Sequence, residues 1–125
     1  MGKRNFSTLS NKASNLQKEG KSPEANALMK EAMPLGNMQE LHQYGRQLVT
    51  EKRPKDALEV FKMNAQKNPG QFTTYVGLVR GYSANGDYKN ALKYAKLAQP
   101  LAPDKPNKDA VDKMIETFNE GKDVN

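Results

Sequence analysis

Residues 85–106, NGDYKNALKYAKLAQPLAPDKP, repeat the skeleton of residues 51–72, EKRPKDALEVFKMNAQKNPGQF. Ala57 and Ala91, Leu58 and Leu92, and Pro69 and Pro103 each stand 34 residues apart, so the offset is constant and free of gaps. A chain writes one unit twice when neither copy can bury its apolar face alone and each needs its neighbour. Carried backwards, the same register pairs Leu41 with Tyr75, Arg46 with Arg80 and Leu48 with Tyr82, so the unit contains two helical segments.

Within each segment the apolar residues recur at intervals of three and four, as a helix that buries one stripe requires. Leu41, Tyr44 and Leu48 do so, then Ala57, Val60, Phe61 and Ala65, and again Leu78 with Tyr82 and Leu92 with Ala95 and Ala98. Turn residues at Lys52-Arg53-Pro54 and Asn85-Gly86-Asp87 split each unit, and Asn68-Pro69-Gly70 and Ala102-Pro103-Asp104 close it. Small residues, Ala57, Ala91, Gly45 and Ala95, fall where two helices of a hairpin approach closely.

The pattern Leu41-x-x-Tyr44-Gly45-x-x-Leu48, Ala57-x-x-x-Phe61 and Pro69 resembles the tetratricopeptide repeat, whose period and signature it follows. The next copy keeps Tyr75, Leu78, Tyr82, Ala91 and Pro103 but departs at Val79, where the family prefers Gly, and at Ala95, where it prefers an aromatic. The resemblance implies an all-α, right-handed solenoid of three helical hairpins with a C-terminal capping helix. The expected organisation is a flexible N-terminus at 1–5, a degenerate repeat at 6–37, full repeats at 38–71 and 72–105, a capping helix at 106–121 and a tail at 122–125. The degenerate copy is read from Leu9, Ala13, Leu16, Gly20, Ala25, Met29 and Ala32, with a shortened or differently turned connection at Pro34-Leu35-Gly36-Asn37. The cap is read from Val111, Met114, Ile115 and Phe118, stopped by Gly121. HQYGRQL, GLVRGYSANGDYKNALKYAKLA and APDKPNKD also resemble C-terminal repeats of multidomain bacterial proteins of the Bacteroidota, which implies a fragment of an envelope or periplasmic parent.

Composition narrows the chemistry. With 36% hydrophobic and 27% charged residues, a thin stack suits the chain better than a thick layered core. The formal charge is +6, and its lysines and arginines are interspersed with acids, which permits an anionic partner without requiring one. Cysteine is absent, so disulfides, thiolate metal sites and Cys nucleophiles are excluded, and the compartment is not readable. MGKRN is basic, but no apolar core of signal-peptide length follows it, and Phe6 stands where a myristoylation pattern wants Ser or Thr. Asn5-Phe6-Ser7 matches a glycosylation sequon.

The inventory for catalysis is poor. His42 is the single histidine, G-x-S-x-G and phosphate-cradling Gly loops are missing, and Asp109 and Asp112 read as a solvated face. No enzyme activity, cofactor or metal is expected. What remains is a surface. Gln39, His42, Arg46 and Val49 sit about 130° around the helix from the packing stripe, at about 100° per residue, and are expected outside the core. The family resemblance makes this the concave groove that receives peptides, joined by Thr73, Val76, Arg80 and Ser83, and by Ser7, Ser10, Ser14 and Gln17 from the degenerate copy. Arg46 and Arg80 hold equivalent places one period apart, which puts two guanidinium forks on one wall and suits an acidic peptide. Ser10 and Ser14 stand where the family's two-carboxylate clamp wants Lys and Asn. His42, beside Arg46, is expected to resist protonation.

The reading reached is a non-catalytic scaffold for protein–protein interaction. A structural spacer or oligomerisation arm is the second, with weak self-association if Phe6, Leu9 and Leu16 are left uncovered. Nucleic-acid binding, suggested by the net charge and by Tyr75, Tyr82, Tyr88 and Tyr94, ranks last because the repeat register assigns Tyr75 and Tyr82 to packing.

Overall fold

The structure, a computed structural model, describes residues 5–125, and residues 1–4, which hold most of the expected flexible N-terminus, lie outside them. The described residues form seven α-helices, two short 3-10 turns and no strand. The helices are α1 (Phe6–Lys18), α2 (Ser22–Ala32), α3 (Met38–Thr50), α4 (Pro54–Lys67), α5 (Phe72–Ala84), α6 (Tyr88–Ala98) and α7 (Lys105–Asn119). The 3-10 turns are Met33–Leu35 and Gln99–Leu101. None of the described helices is long and apolar enough to cross a membrane. The chain divides into two compact units, Met1–Glu40 and Leu41–Asn125.

Local chemistry sets the starts and stops. Free N–H groups at a helix start are met by a side-chain oxygen, which contributes about 1 kcal/mol at each cap. Asn5 accepts from Thr8 N at 2.8 Å, Asp87 from Asn90 N at 3.1 Å, and Asp104 from Asn107 N at 2.9 Å. At α3 the cap is reciprocal: Glu40 N donates to Asn37 Oδ1 at 2.8 Å and Asn37 N to Glu40 Oε1 at 3.0 Å. Helices α2 and α4 instead place a proline in the first turn, where its missing N–H costs nothing.

Four helices end in the same way. Beyond α1, α3, α5 and α7 the chain reverses through a residue at positive φ: Gly20 (80°), Lys52 (59°), Gly86 (76°) and Gly121 (71°). In each case the following N–H reaches back to a carbonyl five residues earlier, Lys21 to Leu16, Arg53 to Leu48, Asp87 to Tyr82 and Lys122 to Thr117. This paired-hydrogen-bond closure satisfies carbonyls that a bare helix end would orphan.

In the first unit, α1 packs on α2. Phe6, Leu9 and Ala13 are buried on α1, as are Ala25, Met29 and Ala32 on α2. Phe6 and Leu9 are therefore covered, and Leu16 is half-buried, so the uncovered apolar start that weak self-association would need is not present at Phe6 and Leu9.

In the second unit, the ring of Phe61 on α4 fills the space that three glycines leave. A Cβ on Gly45 of α3 would lie 2.6 Å from its Cζ, one on Gly77 of α5 2.6 Å from its Cδ1, and one on Gly81 2.9 Å from its Cδ2. Helix α5 packs on both α4 and α6, and α7 packs on α6. One period on, the Gly45 and Phe61 positions carry Val79 and Ala95, both buried in one cluster with Ala91, Ala98, Val111 and Phe118. The large and small partners have changed places. A polar tie joins the turns: Asn85 Nδ2 donates to Pro54 O at 2.9 Å and to Gly81 O at 2.7 Å.

Candidate functional site

Arg80 and Ala84 of α5 meet Arg46 and Val49 of α3 around a pocket of about 550 Å³, which Thr50 and Lys52 also line. Neither guanidinium makes an ion pair among the described residues. Burial, and then the charge of Arg46, push the Arg80 guanidinium below its ordinary value. The buried Nε of Arg80 has no hydrogen-bond partner. A half-buried cation without a counter-ion carries an uncompensated desolvation cost, which an incoming carboxylate would relieve.

The candidate residues from the sequence divide four ways. Arg46, Val49 and Arg80 line the pocket together. Gln39 is exposed and Thr73 half-buried, while Val76 packs against the cluster shared by α6 and α7. His42 and Ser83 are buried, with 8% and 1% of their surfaces exposed. In the first unit, Ser10 Oγ donates to Ser7 O at 3.1 Å, Gln17 Nε2 donates to Ser22 Oγ at 3.1 Å, and Ser14 is half-buried.

His42 departs from the helical-wheel expectation that kept it outside the core. Gly77 brings α5 so close that a Cβ there would stand 3.4 Å from His42 Nδ1. The imidazole lies 5.8 Å from the Phe61 ring, centroid to centroid. Burial first, then the charges of Arg46 and Arg80, lower its pKa from 6.5 to about 4, so it is neutral at neutral pH. Its Nδ1 is buried without a hydrogen bond.

Ser83 is buried by the C-terminal residues. Its Oγ donates to Asp123 Oδ1 and accepts from Val124 N at 3.0 Å, and Asn125 Nδ2 donates to Arg80 O at 3.0 Å. Asp123, Val124 and Asn125 thereby become part of the pocket wall. By sequence alone 122–125 is a tail. The one signal for its path was Gly121, the reversal that turns the chain back.

A second pocket, of about 370 Å³, is lined by Tyr75, Tyr82, Tyr94 and Lys62. The rings of Tyr82 and Tyr94 stack at 5.6 Å and 4°, and those of Tyr75 and Tyr94 at 6.1 Å and 26°. Lys62 Nζ lies 5.7 Å from the Tyr82 centroid and Lys93 Nζ 5.4 Å from that of Tyr94. These rings spend their faces on one another.

No protein-family model, no curated protein and no solved structure matches the chain.

Proposed function

We propose that the chain is a tetratricopeptide-like scaffold that binds an extended, acidic peptide segment at the Arg46–Arg80 pocket without catalysing a reaction. The 34-residue register and the shared closure of α1, α3, α5 and α7 support the repeat reading. On that reading α3–α4 and α5–α6 are consecutive hairpins of a right-handed solenoid, α7 is their cap, and α1–α2 is the degenerate copy. One observation carries the function: two guanidiniums border one pocket with no acid paired to either among the described residues, and Arg80 holds a buried donor unused. Arg offers carboxylates a two-pronged, permanently charged contact, and a preformed pocket orders little on binding.

The test is fluorescence anisotropy with a labelled acidic nonapeptide, (Asp-Val-Asn)3, against an uncharged control, (Asn-Val-Asn)3. Native protein is expected to bind the acidic probe preferentially, and the Arg46→Glu, Arg80→Glu double variant, matched for helicity by circular dichroism, is expected to lose it. Equal binding by native and variant chains would refute the assignment of the site.

A further inference from the structure

The C-terminal residues lie on the face of α5 that a partner would need. Gly121, at positive φ, turns the chain at the end of α7, and Lys122 N to Thr117 O and Gly121 N to Phe118 O fix that turn. The segment then crosses α5. Ser83 commits both its donor and an acceptor position to it, and Asn125 holds the carbonyl of Arg80. Asp123 supplies the only side-chain carboxylate among the residues lining the pocket, and its Oδ1 accepts from Ser83 Oγ, from Asn125 N at 3.1 Å and from Asn125 Nδ2 at 2.9 Å. Neither arginine has an ion-pair partner among the described residues.

We infer that residues 122–125 form a displaceable strap across the Arg46–Arg80 pocket, mutually exclusive with a partner's extended acidic segment. The inference rests on the peptide-binding reading above. The segment presents a carboxylate, a small aliphatic side chain and a carboxamide in sequence, so it has the chemistry that the pocket would meet in a partner. Its anchorage is slight. Lys122, Asp123 and Asn125 are exposed, and one half-buried valine, Val124, packed on the Val79–Ala95 cluster, and a few polar bonds stand against the entropy of ordering the segment. A ligand that also engages Arg46 and Arg80 gains contacts which the strap does not make.

Two variants of the full chain release the strap without changing net charge: Ser83→Ala removes its anchor, and Val124→Asn removes its apolar contact. Amide hydrogen exchange reads the strap, and anisotropy with (Asp-Val-Asn)3 reads the pocket. Val124 N–H is expected to be protected in the native chain and exposed in both variants, which should bind the probe several-fold more tightly than the native protein does. A Val124 amide in the native chain that exchanges like an unstructured peptide overturns the proposal, as does unchanged or weaker probe affinity in both variants. If Val124 is protected and no form binds the probe, the peptide-binding reading fails and competition falls with it, while the docked tail stands as a separate result.

Discussion

The Phe61 ring occupies the place where Gly45 would carry a side chain: a Cβ there would lie 2.6 Å from Cζ and 2.8 Å from Cδ1. Phe61 is 1% exposed, so the ring has no solvent-filled space into which it can retreat. Helix α3 can lie this close to α4 only while position 45 is bare.

Gly45→Ala should therefore destabilise the protein by about 1–3 kcal/mol, the range for an overpacked core, even though alanine is favoured over glycine in a helix by about 1 kcal/mol. Phe61→Ala should cost about 3–5 kcal/mol through lost burial and a residual cavity. Urea denaturation of both variants checks the pair. A stabilised Gly45→Ala would show that the contact is not a constraint.

One period later the partners are reversed, as Val79 and Ala95, and this makes the exchange testable. Ala95→Phe alone should unfold much of the second unit. Adding Val79→Gly should recover part of the loss, giving a coupling of at least about 1 kcal/mol in a double-mutant cycle. Additive effects would mean that the two positions do not share space.

Lys52 adopts φ 59° where the three matching closures have glycine. A non-glycine residue there costs about 1–2 kcal/mol, so Lys52→Gly should raise stability by about 1 kcal/mol despite the greater freedom glycine brings to the unfolded chain. Gly86→Lys should lower it by a similar amount. Thermal unfolding followed by circular dichroism distinguishes the outcomes.

His42 predicts a pH dependence. Its pKa falls from 6.5 to about 4 on folding, so the unfolded chain binds the proton more readily. Its contribution is constant above pH 6.5. As pH falls from 6.5 to 4, stability should decline by up to about 3 kcal/mol. His42→Gln should remove this part of the decline in urea titrations across the range, whereas parallel curves for native and variant would refute the assignment.

Much of the local structure was legible because it is written locally. The three-and-four spacing around Leu41, Tyr44 and Leu48 and the turn at Asn85-Gly86-Asp87 both fall where the helices and breaks occur. Arg46 and Arg80 were legible as a pair because they share a register position. The burial of His42 was not, since it depends on Gly77, a residue 35 positions away whose lack of a side chain lets α5 approach. A helical wheel describes one helix and is blind to that neighbour. The path of Asp123–Asn125 was hidden for a related reason: three mostly polar residues have no periodicity, and their partners are Arg80 and Ser83, some 40 residues earlier.

The ladder of Tyr75, Tyr94 and Tyr82 gives the molecule an optical signature of its own. The chain contains no tryptophan, so no indole masks the phenol signals or drains their excited states by energy transfer. Rings as close as Tyr82 and Tyr94 should couple their electronic transitions and produce a near-ultraviolet dichroism band specific to the α5–α6 contact. The loosening of that contact is therefore visible without a label, and separately from the loss of helix recorded in the far ultraviolet.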